Sequence, residues 1–125
     1  QIGQRAILSV QDPIQLDDYS QPQPDLAILA YRDDFYRAGI PIADDVLIVI
    51  EVSDTTLDYD RKEKMPRYAS AGIPELWIVN VTEQTIEQYT NPRQARYRTI
   101  QIVEHGDTLK AKTLNQLDIE VGRLM

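Results

Sequence analysis

A chain of 125 residues and 14.3 kDa is long enough to bury a core and too short for two domains, so one domain is expected over residues 1–125. Thirteen Lys and Arg against twenty Asp and Glu give a net charge of −7, which argues against a protein that coats nucleic acid non-specifically, because that affinity comes from neutralising phosphates. With no cysteine, disulfides, thiolate nucleophiles and zinc–thiolate sites are excluded and a cytoplasmic location is expected, and no apolar run is long enough to span a membrane.

The chain begins at Gln1 rather than Met and is read as a fragment or processed product, so a targeting signal could precede it. Residues 5–10, RAILSV, have the length and apolar character of a strand and run into the turn-like QDP. A loop rich in Pro, Gln and acid follows and ends at Pro24. Asp25 opens a second strand, 25–30; by local signals it is a turn residue after a proline, and by position it is a carboxylate at the mouth of a buried strand. Tyr31 to Asp45 shows no sustained period and reads as a connecting loop, with one helical turn around Asp33 to Ala38. Val46 to Val52, VLIVIEV, is the central strand, its apolar run marking burial on both faces. Alternation places Leu47, Val49 and Glu51 on one face and Ile48, Ile50 and Val52 on the other.

The next segment, DRKE from Asp60 to Glu63, has the residue types of a capping box, while Pro66 restricts the first turn, so a helix is expected from Arg61 with a loose start or from nearer Lys64. Lys64 and Tyr68 share its face at i, i+4, and Gly72 with Pro74 ends it. A second apolar run at 76–81 completes a strand, crossover helix and parallel strand. Thr85 to Tyr89 and Arg96 to Val103 read as a hairpin about NPRQA, and the remainder as a short strand with a closing segment. The expected fold class is α/β: a mixed sheet with the crossover helix packed on one face.

Glu51 is the residue that demands an explanation. An ionised carboxylate taken out of water costs several kcal/mol unless it is paired, hydrogen-bonded or bound to a metal. Asp25 and Glu51, from neighbouring strands, have the donors to hold a hard divalent cation, and Lys64 on the adjacent helix has the charge to stabilise a phosphoryl transition state, which together point to phosphodiester hydrolysis. The single histidine, His105, lies in EHGD and reads as a loop residue between strands. Arg61, Lys62, Lys64 and Arg67 form one basic set and Arg93, Arg96 and Arg98 another; taken singly, each reads as a solvated face. The chain has no Gly-rich phosphate loop, HExxH, EF-hand loop or GxSxG elbow.

Pro24-Asp25 followed by LAIL, IEVSD around Glu51, and DYDRKEKMPRYASAGIPELWIVN from Asp58 to Asn80 resemble the Uma-two family, restriction-endonuclease-like proteins of the PD-(D/E)XK nuclease superfamily. The resemblance covers most of residues 24–80. It implies a restriction-endonuclease-like fold that lacks the family's N-terminal helix, and an endonuclease that hydrolyses nucleic acid, DNA first. It further implies Mg²⁺ or Mn²⁺ held by Asp25, Glu51 and the backbone carbonyl of Val52. The superfamily's usual lysine falls at Ser53 here; the resemblance moves that role to Lys64, with Lys62 as fallback and Ser53 and Tyr68 as further supporting residues. Nucleic acid is the implied partner, no membrane is involved, and assembly as a homodimer stays open. The alternative is an inactive relative that binds nucleic acid or protein, in which Glu51 and Lys64 form a buried structural ion pair.

Overall fold

The computed structural model describes residues 6–54, 57–104, 106–113 and 118–120. The apolar runs become strands β1 (Ala6–Val10), β2 (Leu26–Ala30), β3 (Val46–Ser53), β4 (Glu75–Asn80), β5 (Thr85–Arg93) and β6 (Arg96–Glu104), which form one sheet in that spatial order. β3 and β4 are parallel and every other neighbouring pair is antiparallel, so the sheet is mixed and its one parallel pair is joined by the helical crossover. β7 (Thr108–Lys110) and β8 (Asp118–Glu120) make a separate two-stranded ribbon. His105 and residues 114–117 and 121–125 of the expected closing segment lie outside the described residues.

The central strand is buried on both faces, as its apolar run requires. On the helix side Val49 packs with Ala27, Leu29, Leu76, Ile78, Tyr68 and Ile73; on the other side Ile48 and Ile50 pack with Trp77, Val79, Ile86 and Leu109. One facing differs from strict alternation. The register of β2 against β3 shifts between Ile28 and Leu29, where Leu29 pairs with Val46, so Val46 joins the helix-side core and Leu47 packs against the Ile48 side. A bulge sets two residues against one and turns the alternation over locally. Glu51 keeps its expected face, with Val49 and Ser53.

The crossover helix also starts earlier than DRKE implies. A turn of α-helix, α1 (Leu57–Tyr59), leads into a π-helical segment, Asp60–Lys64, and then α2 (Met65–Ser70). Asp60 is therefore interior and buried rather than an N-cap. Pro66 supplies the reason: it sits in the first turn of α2 without an N–H, and in an α-helix its ring would crowd the carbonyl four residues earlier. The wider π turn, in which the Met65 N–H reaches back five residues to the Asp60 carbonyl, relieves that crowding. At the far end the Ile73 N–H bonds the Tyr68 carbonyl at 3.1 Å and the Gly72 N–H bonds Ala69 at 3.0 Å, with Gly72 at φ 79. This is a Schellman stop, and the glycine is required because the turn is left-handed. Among the described residues no helix is long and apolar enough to cross a membrane.

Candidate functional site

The carboxyl half of β3, the first residue before β2 and the π segment meet at one place. Glu51, 2% exposed, hangs from β3 toward the helix. Its Oε2 accepts the Tyr68 hydroxyl at 2.7 Å, and its Oε1 lies 3.5 Å from Lys64 Nζ and accepts the Asp25 N–H at 3.4 Å. The Asp25 carboxylate lies at the same strand end, where its Oδ2 accepts the Val52 N–H at 2.8 Å. Lys64 Nζ is also 3.4 Å from Asp60 Oδ1, and Asp60 Oδ2 accepts the hydroxyl of Ser53, which is fully buried on the Glu51 side of β3. Tyr68 follows Lys64 by four residues, so helix periodicity delivers the hydroxyl and the ammonium to the same carboxylate.

Of the expected site residues, Asp25, Glu51, Lys64, Tyr68 and Ser53 are thus brought together, with Val52 contributing its N–H. Lys62 is exposed, and among the described residues no contact joins it to Glu51. Asp60 is the member that sequence reasoning assigned elsewhere. Its capping-box spacing pointed to a helix start, whereas the serine two residues after Glu51, where the superfamily has lysine, is the signal that an acceptor must face it.

Burial pushes the Glu51 carboxyl above the ordinary 4.5, against the opposing pull of the Tyr68 hydroxyl and the Lys64 ammonium. Burial works to lower the Lys64 ammonium, but the Glu51 and Asp60 carboxylates outweigh it and hold the lysine charged beyond its ordinary value. Folding therefore favours the protonated form of Glu51. The stability this group contributes is fully present below the unfolded value of 4.5 and is lost as pH rises through the raised folded value. In denaturant unfolding from about pH 4 to about pH 8, the stability of the wild type relative to Glu51→Gln is expected to fall as pH rises. A wild type that gains on the glutamine variant over that range would show that Glu51 is stabilised as the anion.

The expected Mg²⁺ or Mn²⁺ site is corrected by the side-chain arrangement. Among the described residues no group of three or more His, Asp or Glu is placed to hold a metal ion. Both oxygens of Glu51 already face donors, Asp25 spends one oxygen on the Val52 N–H, and Asp60 faces Ser53 and Lys64. The Lys64 ammonium is itself the cation beside the buried carboxylate. The Val52 carbonyl, expected as a further ligand, has no such role without the ion.

Two more buried carboxylates were missed. Glu87, on the helix side of β5, takes Arg61 Nε at 3.0 Å and a second bond from Arg61 Nη2, plus the Tyr89 hydroxyl at 2.6 Å. Burial alone would raise its carboxyl, but Arg61 and Tyr89 bring it below the usual range. Glu75, fully buried on the opposite side of the sheet, accepts four hydrogen bonds: Trp77 Nε1 at 2.7 Å, Gln88 Nε2 at 2.7 Å, and the N–H groups of Lys112 at 2.9 Å and Thr113 at 2.8 Å. Neither interrupts an apolar run as Glu51 does, since Glu75 opens β4 after Pro74 and Glu87 lies between Ile86 and Gln88 in a mixed strand, so the sequence carried no comparable signal for them.

A family model described as "Uma2: Putative restriction endonuclease" matches residues 1–122. Among solved structures the chain is similar to one described as a putative nuclease belonging to DUF820 from Anabaena variabilis, with a TM-score of 0.61 and 16% identity over 95% of this chain and 67% of that one. At that identity the likeness speaks for the fold. Comparison with curated proteins gives no match. With the family model spanning residues 1–122 and the mixed sheet, crossover helix and Asp25–Glu51–Lys64 grouping agreeing with it, the chain belongs to the Uma2 family of restriction-endonuclease-like proteins within the PD-(D/E)XK superfamily.

Proposed function

We propose that the chain acts as one restriction-endonuclease-like domain, in the cytoplasm, and hydrolyses phosphodiester bonds of nucleic acid, DNA in the first place. The observation that carries this reading is Lys64: its ammonium is held 3.5 Å from Glu51 and 3.4 Å from Asp60, yet its side chain is 34% exposed. A charged donor fixed by buried carboxylates and open on one side is preorganised for an anion, and it needs no reorganisation when charge builds on a phosphoryl oxygen. Glu51 and Tyr68 act as positioning residues behind it. Asp25, half-buried at the strand mouth, is the carboxylate that water can reach, and in this reading it takes the proton of the attacking water. Phosphorus gains the water oxygen, the bond to the leaving oxygen breaks, and that oxygen is protonated from solvent.

A second reading has its own support. Glu51 is almost wholly buried with both oxygens engaged, which is the arrangement of a structural ion pair in a binding module. The test is cleavage of labelled single- and double-stranded DNA, with RNA in parallel, by the full chain in a buffer of physiological ionic composition. Cleavage is expected, with Asp25→Asn at least about tenfold slower, equivalent to roughly 1.4 kcal/mol of transition-state stabilisation. A wild type that leaves all three substrates intact would favour the binding module.

A further inference from the structure

The tip of the β5–β6 hairpin carries three arginines that the site above does not use. Arg93 and Arg96 are direct cross-strand partners, and Arg98 follows two residues on along β6. Tyr97, between Arg96 and Arg98, is buried, its hydroxyl donating to the Ile73 carbonyl at 2.8 Å, so it pins the strand with both flanking guanidinium groups outward. Asn91 and Gln94, each at φ 59, bend the tip, and Asn91 Nδ2 donates to Thr99 Oγ1 at 2.8 Å. The arginines converge on a concavity of about 290 Å³ lined by Arg93, Gln94, Arg96 and Arg98.

Like charges directly opposite on antiparallel strands are destabilising. This chain has twenty carboxylates against thirteen basic residues, yet among the described residues no carboxylate lines this concavity and none of the three arginines forms an ion pair. An uncompensated guanidinium cluster on a chain of net charge −7 is a local reversal of sign that an anionic partner would relieve. Arginine's planar fork matches phosphate oxygens, and a cluster of forks matches a chain of phosphates better than a single one.

We propose that the hairpin tip is a docking site for the phosphodiester backbone of nucleic acid, separate from the Lys64 region. The choice of nucleic acid among polyanions rests on the functional reading above. Tyr97 packs in the helix-side core, the side that carries Glu51 and Lys64, and the flanking guanidinium groups point away from it, so the tip would hold the backbone at a place apart from the Lys64 region. Backbone contacts of this kind would set register and affinity rather than read sequence.

The experiment is fluorescence anisotropy of a labelled random-sequence duplex with the full chain across a salt series, for wild type, the Arg93→Gln/Arg96→Gln/Arg98→Gln variant and the same three positions changed to lysine. The glutamine variant is expected to bind at least about tenfold more weakly at low salt, with a slope of log affinity against log salt shallower by about 2 to 3; the lysine variant should recover most of the slope. If circular dichroism shows the triple glutamine variant unfolded, Arg96→Gln alone is read instead, with a slope change of about 1. Unchanged affinity and slope would overturn the proposal, as would a wild type that does not bind, or one that binds labelled polyglutamate more tightly than the duplex. A wild type that binds through the arginines but never cuts would keep this site and remove the hydrolytic reading.

Discussion

Replacing Glu75 by alanine is expected to lower the stability of this domain by at least about 3 kcal/mol, a large fraction of the roughly 5–15 kcal/mol typical of a folded domain. The carboxylate is fully buried and receives four donors. Two of these, the N–H groups of Lys112 and Thr113, tie the segment after β7 to the sheet, and Gln88 reinforces the tie by also donating to the Lys110 carbonyl at 2.8 Å. Alanine leaves all four donors facing a cavity, and each buried unsatisfied donor costs about 1–3 kcal/mol before relaxation. Glu75→Gln, of the same size, keeps the acceptor for the two backbone amides but sets an amide group toward Trp77 and Gln88, and should fall between. Urea unfolding with unchanged slope and a shifted midpoint would measure both. A loss below about 1 kcal/mol for alanine would mean that water replaces the carboxylate and that the network is not structural.

The same carboxylate shows the limit of what was legible before folding. Apolar runs located β2, β3 and β4 to within a residue, because burial on both faces leaves little freedom in composition. The rule that a buried acid needs a partner picked out Glu51, and helix spacing put Lys64 and Tyr68 on one face, though only Lys64 was expected to point at that carboxylate. Once the structure shows them buried, that rule also holds for Glu75 and Glu87, whose partners are a tryptophan, a glutamine, backbone amides and an arginine rather than the expected site. What stayed hidden depends on contacts distant in sequence. The facing of Leu47 is set by a register shift opposite Ile28 and Leu29, and the place of Asp60 by a π segment that accommodates Pro66. The metal expectation came from the two acids and from the family resemblance; the structure adds the donors that face them, Tyr68, Lys64 and the Val52 N–H.

Lys64→Met separates a chemical role from a structural one. Methionine fills a similar volume without charge, so it removes the lysine's desolvation cost while leaving Glu51 with Tyr68 and the Asp25 N–H as donors. Because burial already pushes the Glu51 carboxyl upward, loss of the ammonium can be met by protonation, and the stability change is expected to be modest, about 1–2 kcal/mol in either direction. Transition-state charge on a phosphoryl group has no such escape. The direct measurement is single-turnover cleavage of a labelled DNA duplex, with enzyme in excess, by wild type and Lys64→Met matched for folded fraction. A central role for the Glu51-held ammonium predicts a rate at least about tenfold lower in the variant, with duplex affinity nearly unchanged. Equal rates for the two proteins would contradict it.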